Sequence, residues 1–343
     1  MEGSGKPLVS VIITTYHNVE YLPRAIKSVL NQSYPEIELI VVDDNPPESD
    51  ARRGTEAVME KYPQAVYLKH TENKNGAAAR NTGIRVARGE YIAFLDNDDI
   101  YFSRHIADCV EALETHPECG SVLCGVLKVR GGICWETILP PSGNIVKALF
   151  LSETALGTGS NLFAKARLVR EIQGFDESFL RHQDVEFGIR LFSRCTVFCI
   201  CEVQIIKAMD GFSNAPDFDR FLSTKRHFVE KFTKELKKLT AEEQRRYYAG
   251  QCSALLYTAC KSGVEEQINW TKSRLEKYRS LNRKEKILIL LSRWHLFFLY
   301  EKIKLLIKEK KSGRMYKEVS NGLTAQDQQL FLEMLKKCKS SSV

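Results

Sequence analysis

The feature that most limits how this chain can fold is an apolar run that stops on acids. Tyr91-Ile92-Ala93-Phe94-Leu95 is followed at once by Asp96-Asn97-Asp98-Asp99. A buried strand ending this way sets three carboxylates at the edge of a sheet, where they repel one another. Hard oxygen donors of this kind suit Mg²⁺ or Mn²⁺, and such ions usually share their shell with phosphate oxygens. A solvated acidic turn has the same local sequence, so the flanking pattern has to decide between the two.

That pattern alternates strand and helix. Leu8 to Thr15 is β-rich. Tyr21 to Gln32 places Leu22, Ile26, Val29 and Leu30 on one helical face. Ile37 to Val42 reads as a buried strand ending at Asp43-Asp44, Thr55 to Tyr62 as a helix and Ala65 to Lys69 as a strand. Asn75 opens a helix through Arg88, Gly89 closes it, and Glu90 to Leu95 is the next strand. Such alternation implies a mainly parallel sheet flanked by helices, with ligands at the carboxyl ends of the strands. Thr14-Thr15-Tyr16, Asp43-Asp44 and Asp96-Asn97-Asp98 all fall at such ends and can converge on one crevice.

The charge is divided unevenly. Residues 216–343 carry 28 Lys and Arg against 15 Asp and Glu, whereas 1–215 are net negative by six. From about residue 216 the pattern is helical: Phe218 to Leu239, Ala241 to Lys261, Glu265 to Tyr278 and Arg283 to Lys311. Thr240 with Glu243 forms a capping-box pattern, and Thr324 with Asp327 a looser one. The expected division is therefore 1–215 and 216–343, with the boundary at Asn214-Ala215-Pro216. Met1 to Lys6 is polar, Val9 to Tyr16 is too short for a secretory core, and no apolar run is long enough to span a bilayer. The ten cysteines form no paired Cys-x-x-Cys set and read as free thiols in a cytoplasmic protein. Cys195, Cys199 and Cys201 offer zinc ligands in principle, but their apolar neighbours Val197, Phe198 and Ile200 point instead to a strand with small core residues.

In order along the chain come Val9-Ser10-Val11-Ile12-Ile13-Thr14-Thr15-Tyr16, Ile40-Val41-Val42-Asp43-Asp44, Asn75-Gly76-Ala77-Ala78-Ala79-Arg80-Asn81-Thr82-Gly83 and Phe94 to Asp99. Gly174-Phe175-Asp176-Glu177 and Gln183-Asp184-Val185-Glu186-Phe187 follow. Over residues 7 to 210 this set resembles the family 2 glycosyltransferases of the GT-A fold, inverting enzymes of the bacterial surface-polysaccharide type. The resemblance implies a GT-A domain over 1–215 with an α-helical C-terminal extension. It also implies a donor nucleotide-sugar and a Mn²⁺ or Mg²⁺ cofactor.

It further implies roles by position. Tyr16 would stack on the base, a contact that contributes about 1–3 kcal/mol in nucleic-acid complexes. Asp44, with Asp43 as the second choice, would accept the N–H of uracil, and Thr14 and Thr15 would line the same pocket. Arg80 would reach the diphosphate from a small-residue helix start, or serve as a structural partner to the strand-end carboxylates. Asp98 matches the principal metal ligand and Asp96 the residue facing ribose and the metal shell, with Asn97 between them. Asp99 is expected to cap the segment Ile100 to Glu114. Asp184 matches the catalytic base, kept ionised in a first helical turn.

Trp135, Gly159, His182 and Gln183 are the acceptor-side candidates. The Gly-rich stretch Gly157-Thr158-Gly159-Ser160-Asn161 lacks a P-loop lysine and resembles the strand entry near donor sugar and acceptor. Three departures stand out: Thr14-Thr15-Tyr16-His17 for a Pro-Thr-Tyr-Asn pattern, Asp43-Asp44-Asn45-Pro46-Pro47 for Asp-Asp-Gly-Ser, and Gln183-Asp184 for Glu-Asp. The first two touch the base pocket and the third removes a charge beside the base.

The expected function is metal-dependent, inverting transfer of a hexosyl or N-acetylhexosaminyl group from a UDP-sugar to a hydroxyl of a glycan or lipid-linked glycan. The alternatives are a non-catalytic scaffold on a transferase fold and a protein-glycan transferase. Ile287 to Tyr300, the most apolar stretch, is flanked by Lys and Arg. Residues 283–311 thus read as a helix lying on the anionic inner face of the cytoplasmic membrane, as a buried bundle helix, or as a self-association surface of a homo-oligomer. The basic half lacks the Arg and aromatic interleaving of a nucleic-acid binder.

Overall fold

The structure is a computed structural model that describes residues 5–210 and 217–340. The expected boundary at Asn214-Ala215-Pro216 lies outside the described residues. The chain forms two compact units. One holds residues up to 146, 154–210 and 312 onward; the other holds 147–153 and 217–311. Residues 312–340, grouped by sequence with the helical half, thus cluster with the sheet.

In the first unit the strands are β1 (Val9–Thr15), β2 (Ile37–Asp43), β3 (Val66–Lys69), β4 (Tyr91–Asp96), β5 (Ile100–Tyr101), β6 (Cys119–Arg130), β7 (Ile133–Ile138), β8 (Phe163–Lys165) and β9 (Thr196–Ala208). They form one sheet in the order β3-β2-β1-β4-β8-β6-β9-β5, with β7 on β6. The helices are α1 (Leu22–Leu30), α2 (Asp50–Met59), α3 (Gly76–Val86), α4 (His105–Thr115), α6 (Ala166–Glu171) and α7 (Gln183–Phe192), while α5 (Ile145–Phe150) falls mostly in the residues of the other unit.

Strands β3, β2, β1 and β4 are parallel, as the alternation requires. The register sets Thr14 beside Val42 and Asp96, and Thr15 beside Asp43. Three strand ends therefore lie level. Beyond β4 the sheet becomes mixed: the three-residue β8 inserts antiparallel between β4 and β6, while β6 and β9 run parallel. The core on one face joins Val11, Ile13, Leu22, Ile26, Val41 and Leu95, all buried. Burial of this kind contributes about 1.5–3 kcal/mol per large apolar side chain.

Several local expectations shift for physical reasons. Helix α2 starts at Asp50 rather than Thr55, because Ser49 caps it by accepting from the Arg52 N–H at 3.1 Å. Gly54, which looks like a breaker, lets the helix lie against Val19, 3.2 Å from where a Cβ would stand. Gly89 does not close α3. It passes so close to β1 that a Cβ would lie 2.6 Å from the Ser10 nitrogen. Cys199 and Cys201 do fall on β9, but Cys201 is exposed rather than a core residue.

The second unit is helical: α8 (Phe218–Lys231), α9 (Thr233–Leu236), α10 (Ala241–Ser262), α11 (Glu265–Glu276), α12 (Arg283–Arg293) and the first part of α13 (Phe297–Ser320). Its core joins Leu255, Leu256, Ala259, Ile268, Leu275, Leu288 and Phe297. The Thr240–Glu243 capping box is formed, and Asn282 with Glu285 forms a second one. The sequence suggests one helix over 283–311, but it breaks at Trp294–Leu296, where His295 takes a positive φ of 55°. The last helix, α14 (Ala325–Ser340), belongs to the sheet unit, where Phe331 packs on Phe102 and Asp327 accepts from the Ser103 N–H and hydroxyl.

Candidate active site at the carboxyl ends of the sheet

The level ends of β1, β2 and β4 carry Thr14 and Thr15, Asp43 and Asp44, and Asp96 to Asp99. The acids of β2 are saturated with partners. Asp43 is fully buried. Its carboxylate accepts from the Asn45 backbone and side-chain N–H groups at 2.9 and 2.8 Å and from the Tyr67 hydroxyl at 2.6 Å, and it pairs with Arg52 at 3.1 Å. Burial nonetheless holds its pKa above the usual value. Asp44 accepts from His70 Nδ1 at 2.7 Å, the Lys74 and Asn75 N–H groups at 2.9 and 3.0 Å, and the Asn73 amide at 2.9 Å. His70 is fixed in turn by Thr82, 2.9 Å from Nε2. A carboxylate offers about four acceptor positions, so this arrangement leaves none on Asp44 for a base N–H.

The acids of β4 are in a different state. Their oxygens lie within 4.8 Å of one another. Asp99 is fully buried; the Thr158 and Ser160 hydroxyls donate to it at 2.6 and 2.7 Å, and the Ala208 N–H at 3.1 Å. It does not cap a helix. The next element is the short β5, and α4 begins only at His105. Asp96 pairs with Arg80 at 2.6 Å and receives the Thr158 hydroxyl at 3.4 Å. Burial opposes its ionisation, but Arg80 and Lys207 outweigh that and hold its pKa below the usual value. Asp98 is pushed up to about 7, first by burial and then by the charges of Asp99 and Asp96. The turn that holds it is pinned by Arg24, whose guanidinium donates to the Asp98 carbonyl at 2.7 Å.

Asn97 braces this turn to the first strand. Its amide donates to the Thr15 hydroxyl at 3.0 Å and the His17 carbonyl at 3.1 Å. The His17 N–H in turn donates to Asn45 at 2.8 Å. His17 and Asn18 take positive φ, and this tight turn leaves the neighbouring Tyr16 ring 39% exposed at the mouth.

Asp184 arrives from 86 residues downstream by way of an aromatic cluster. Phe94 of β4 meets Phe175 and Phe187 edge-on at 5.1 and 5.8 Å, and those two rings stack at 4.0 Å. Asn81 of α3 grips the Gly174–Glu177 turn, accepting from the Phe175 N–H and donating to the Phe175 carbonyl and Glu177. Arg80 then bridges, donating to Asp96 and, at 3.0 Å, to Gln183. A Cβ added to Gly159 would lie 3.4 Å from the Arg80 guanidinium and 3.7 Å from Asp184 Cβ. Asp184, Gln183, Gly159, Arg80 and Asp96 therefore share one locale. His182 precedes α7 in a left-handed conformation, φ 58°. Trp135 does not belong to this set. It is 7% exposed on β7, with Arg130 over its ring at 5.3 Å, so it packs rather than offering a face to a sugar.

Lys207 of β9 is the group the sequence reading missed. Its ammonium lies 3.4 Å from the Thr158 hydroxyl, between the acids. Burial would lower its pKa, but Asp99, Asp96, Asp98 and Asp184 together raise it. Four carboxylates thus face two cations, Lys207 and Arg80. The remaining negative charge, held on hard oxygens, is what a divalent cation neutralises, so the donor set fits such an ion at Asp98 and Asp96.

A sheet whose strand-end crevice joins an acid cluster to a helix-borne carboxylate has the layout of the GT-A fold. Residues 10–133 match the family model described as Glycosyl transferase family 2. An uncharacterized glycosyltransferase of Methanocaldococcus jannaschii is 27% identical over 231 residues, which cover 64% of this chain and 74% of that one. TuaG of Bacillus subtilis, a glycosyltransferase assigned to teichuronic acid biosynthesis, is 42% identical over 95 residues, 27% of this chain and 37% of TuaG. Among solved structures, the mannosyltransferase PcManGT from Pyrobaculum calidifontis, in complex with GDP-Man and Mn²⁺, superposes with a TM-score of 0.52. It is 18% identical, over 90% of this chain and 88% of that one. Over residues 10–133 the chain is thus similar to glycosyltransferase family 2, and its fold is that of the GT-A glycosyltransferases.

Proposed function

We propose that this enzyme moves one sugar from a UDP-sugar to a hydroxyl of a glycan or lipid-linked glycan, with inversion, in surface-polysaccharide synthesis at the inner face of the cytoplasmic membrane. The observation that carries this reading is the meeting of Asp184 with the β4 carboxylates across the Arg80–Gln183 bridge. Asp184, in the first turn of α7, takes the proton from the acceptor hydroxyl as its oxygen attacks the anomeric carbon. Asp98 and Asp96 would hold a Mn²⁺ or Mg²⁺ ion, which would supply charge neutralisation for the diphosphate leaving group. Arg80 and Lys207 keep the acids converged.

The exposed Tyr16 ring stacks on the base. Because Asp43 and Asp44 are committed to protein donors, polar contact with the base falls to the backbone and hydroxyls at the ends of β1 and β2, Thr14 among them. Asp43 and Asp44 act by shaping that loop. Gln183, Gly159 and His182 border the acceptor side. The relationship to TuaG supports the polysaccharide part, and the donor set of the β4 acids supports the metal.

The test is calorimetric binding of a panel of UDP- and GDP-sugars with and without Mn²⁺, followed by turnover of the donor that binds. Mn²⁺-dependent binding of one UDP-sugar, lost in Asp98→Ala, is expected. Selection of a GDP-sugar overturns the uracil reading, and metal-independent turnover overturns the cofactor.

A further inference from the structure

The helical unit exposes a large apolar surface that its own core does not use. Helix α12 buries Leu288 and Ile289 but leaves Ile287 and Leu290 52% and 56% exposed. Beyond the break, Trp294 is 69% exposed, and α13 presents Phe298, Ile303 and Leu306, each more than half exposed. Leu299, Ile303, Leu306 and Ile307 follow the i, i+4, i+7, i+8 spacing of one helical face, and all four are exposed. Contiguous apolar surface of this kind, rimmed by charge, marks an interaction site.

The rim identifies the occupant. Residues 283–311 carry nine basic against three acidic side chains. One of the three, Glu285, is buried and paired with Arg279 at 2.7 Å, so it faces the core rather than the rim. Arg283, Lys284, Lys286, Arg293, Lys302 and Lys310 are exposed. Lys302 lies over the Phe298 ring at 5.6 Å, so its stem covers apolar surface while its ammonium stays outside. A second copy of this chain would bring the same positive rim against itself. An anionic surface complements it, and aromatic and aliphatic side chains framed by lysines are what an interfacial helix buries at the headgroup boundary. Among the described residues no helix is long and apolar enough to cross a membrane.

We infer that the face formed by α12, the Trp294–Leu296 break and the start of α13 docks on an anionic lipid bilayer. The His295 break lets α12 and the start of α13, rather than one rod, settle on that plane. The inference deepens the membrane part of the function proposed above and rests on it. The transfer chemistry plays no part in the measurement, so either reading can fail alone.

The experiment is co-sedimentation of the full chain with vesicles of phosphatidylcholine alone and of phosphatidylcholine mixed with phosphatidylglycerol, at low and high salt. The wild type should favour the anionic vesicles by about tenfold or more and lose that preference at high salt. A Trp294→Ser, Leu306→Ser variant should lose about tenfold through its apolar contacts. A Lys284→Glu, Lys310→Glu variant, which changes two exposed side chains, should lose a similar factor through charge. Donor binding measured without vesicles should be unchanged in both. Absence of vesicle binding in the wild type, binding indifferent to both variants, or equal binding to neutral vesicles overturns the inference. So does a dimer that the apolar variant dissociates while vesicle binding is absent.

Discussion

Strands β2 and β4 end in similar text, Val42-Asp43-Asp44 and Leu95-Asp96-Asn97-Asp98-Asp99, and their acids live in opposite states. At β2 each carboxylate is met by a full set of donors: Arg52, Tyr67 and Asn45 for Asp43, and His70, Asn73 and two backbone amides for Asp44. At β4 the acids crowd one another, and Asp98 is pushed up to about 7 by burial and its neighbours' charges. Buried charge that is fully partnered builds structure. Buried charge that stays in excess is held ready for a ligand of opposite sign.

The largest effect that would sharpen this contrast is on turnover. Asp184→Asn should lower kcat by about 10²–10⁴-fold while leaving the melting temperature near wild type, since general-base catalysis supplies that much. Asp43→Ala should do the reverse. It strands Arg52 in the core, and breaking a buried pair costs about 3–5 kcal/mol, so urea unfolding should shift strongly. A mild effect there would break the claim that the β2 acids are structural.

Lys207→Met tests the excess charge at β4. Without metal the variant should lose on the order of 1–3 kcal/mol, because a counter-charge leaves a buried cluster. Mn²⁺ should restore more of its stability than it gives the wild type, as read by thermal melts with and without the ion.

The smallest effect concerns the helical unit. Burial opposes ionisation of Glu285, but Arg279, Ser253 and the Asn282 N–H outweigh it and hold the pKa at about 2. A depressed carboxylate contributes stability above its unfolded value near 4.5 and loses it as pH falls toward 2. Glu285→Gln should therefore flatten the acid limb of unfolding between those limits, by on the order of 1 kcal/mol.

The sequence made the sheet half legible because strand ends, the Asn75 cap and the Phe94-to-Asp99 turn are local signals. Asn75 does cap α3, accepting from the Ala77 and Ala78 amides. What it hid was set by distance. Lys207 is one lysine in a half-polar strand until the antiparallel pairing of β5 with β9, which sets Ile206 beside Ile100, carries it to the acids. The saturation of Asp44 depends on His70, Asn73 and Asn75 folding back from a loop. The antiparallel insertion of β8 rests on three residues, too few to show a period. Trp135 stands among the acceptor-side candidates because burial cannot be read from a single aromatic.

The most direct measurement is a pair of thermal melts, Asp98→Asn and Asp44→Asn, each with and without Mn²⁺. If the β4 acids hold excess charge for a cation and the β2 acids are structural, metal-free Asp98→Asn melts at or above the wild type and loses the Mn²⁺ shift. Asp44→Asn melts well below the wild type and keeps the shift. The account is contradicted if Asp98→Asn is the more destabilised of the two, or if it keeps a full Mn²⁺ shift.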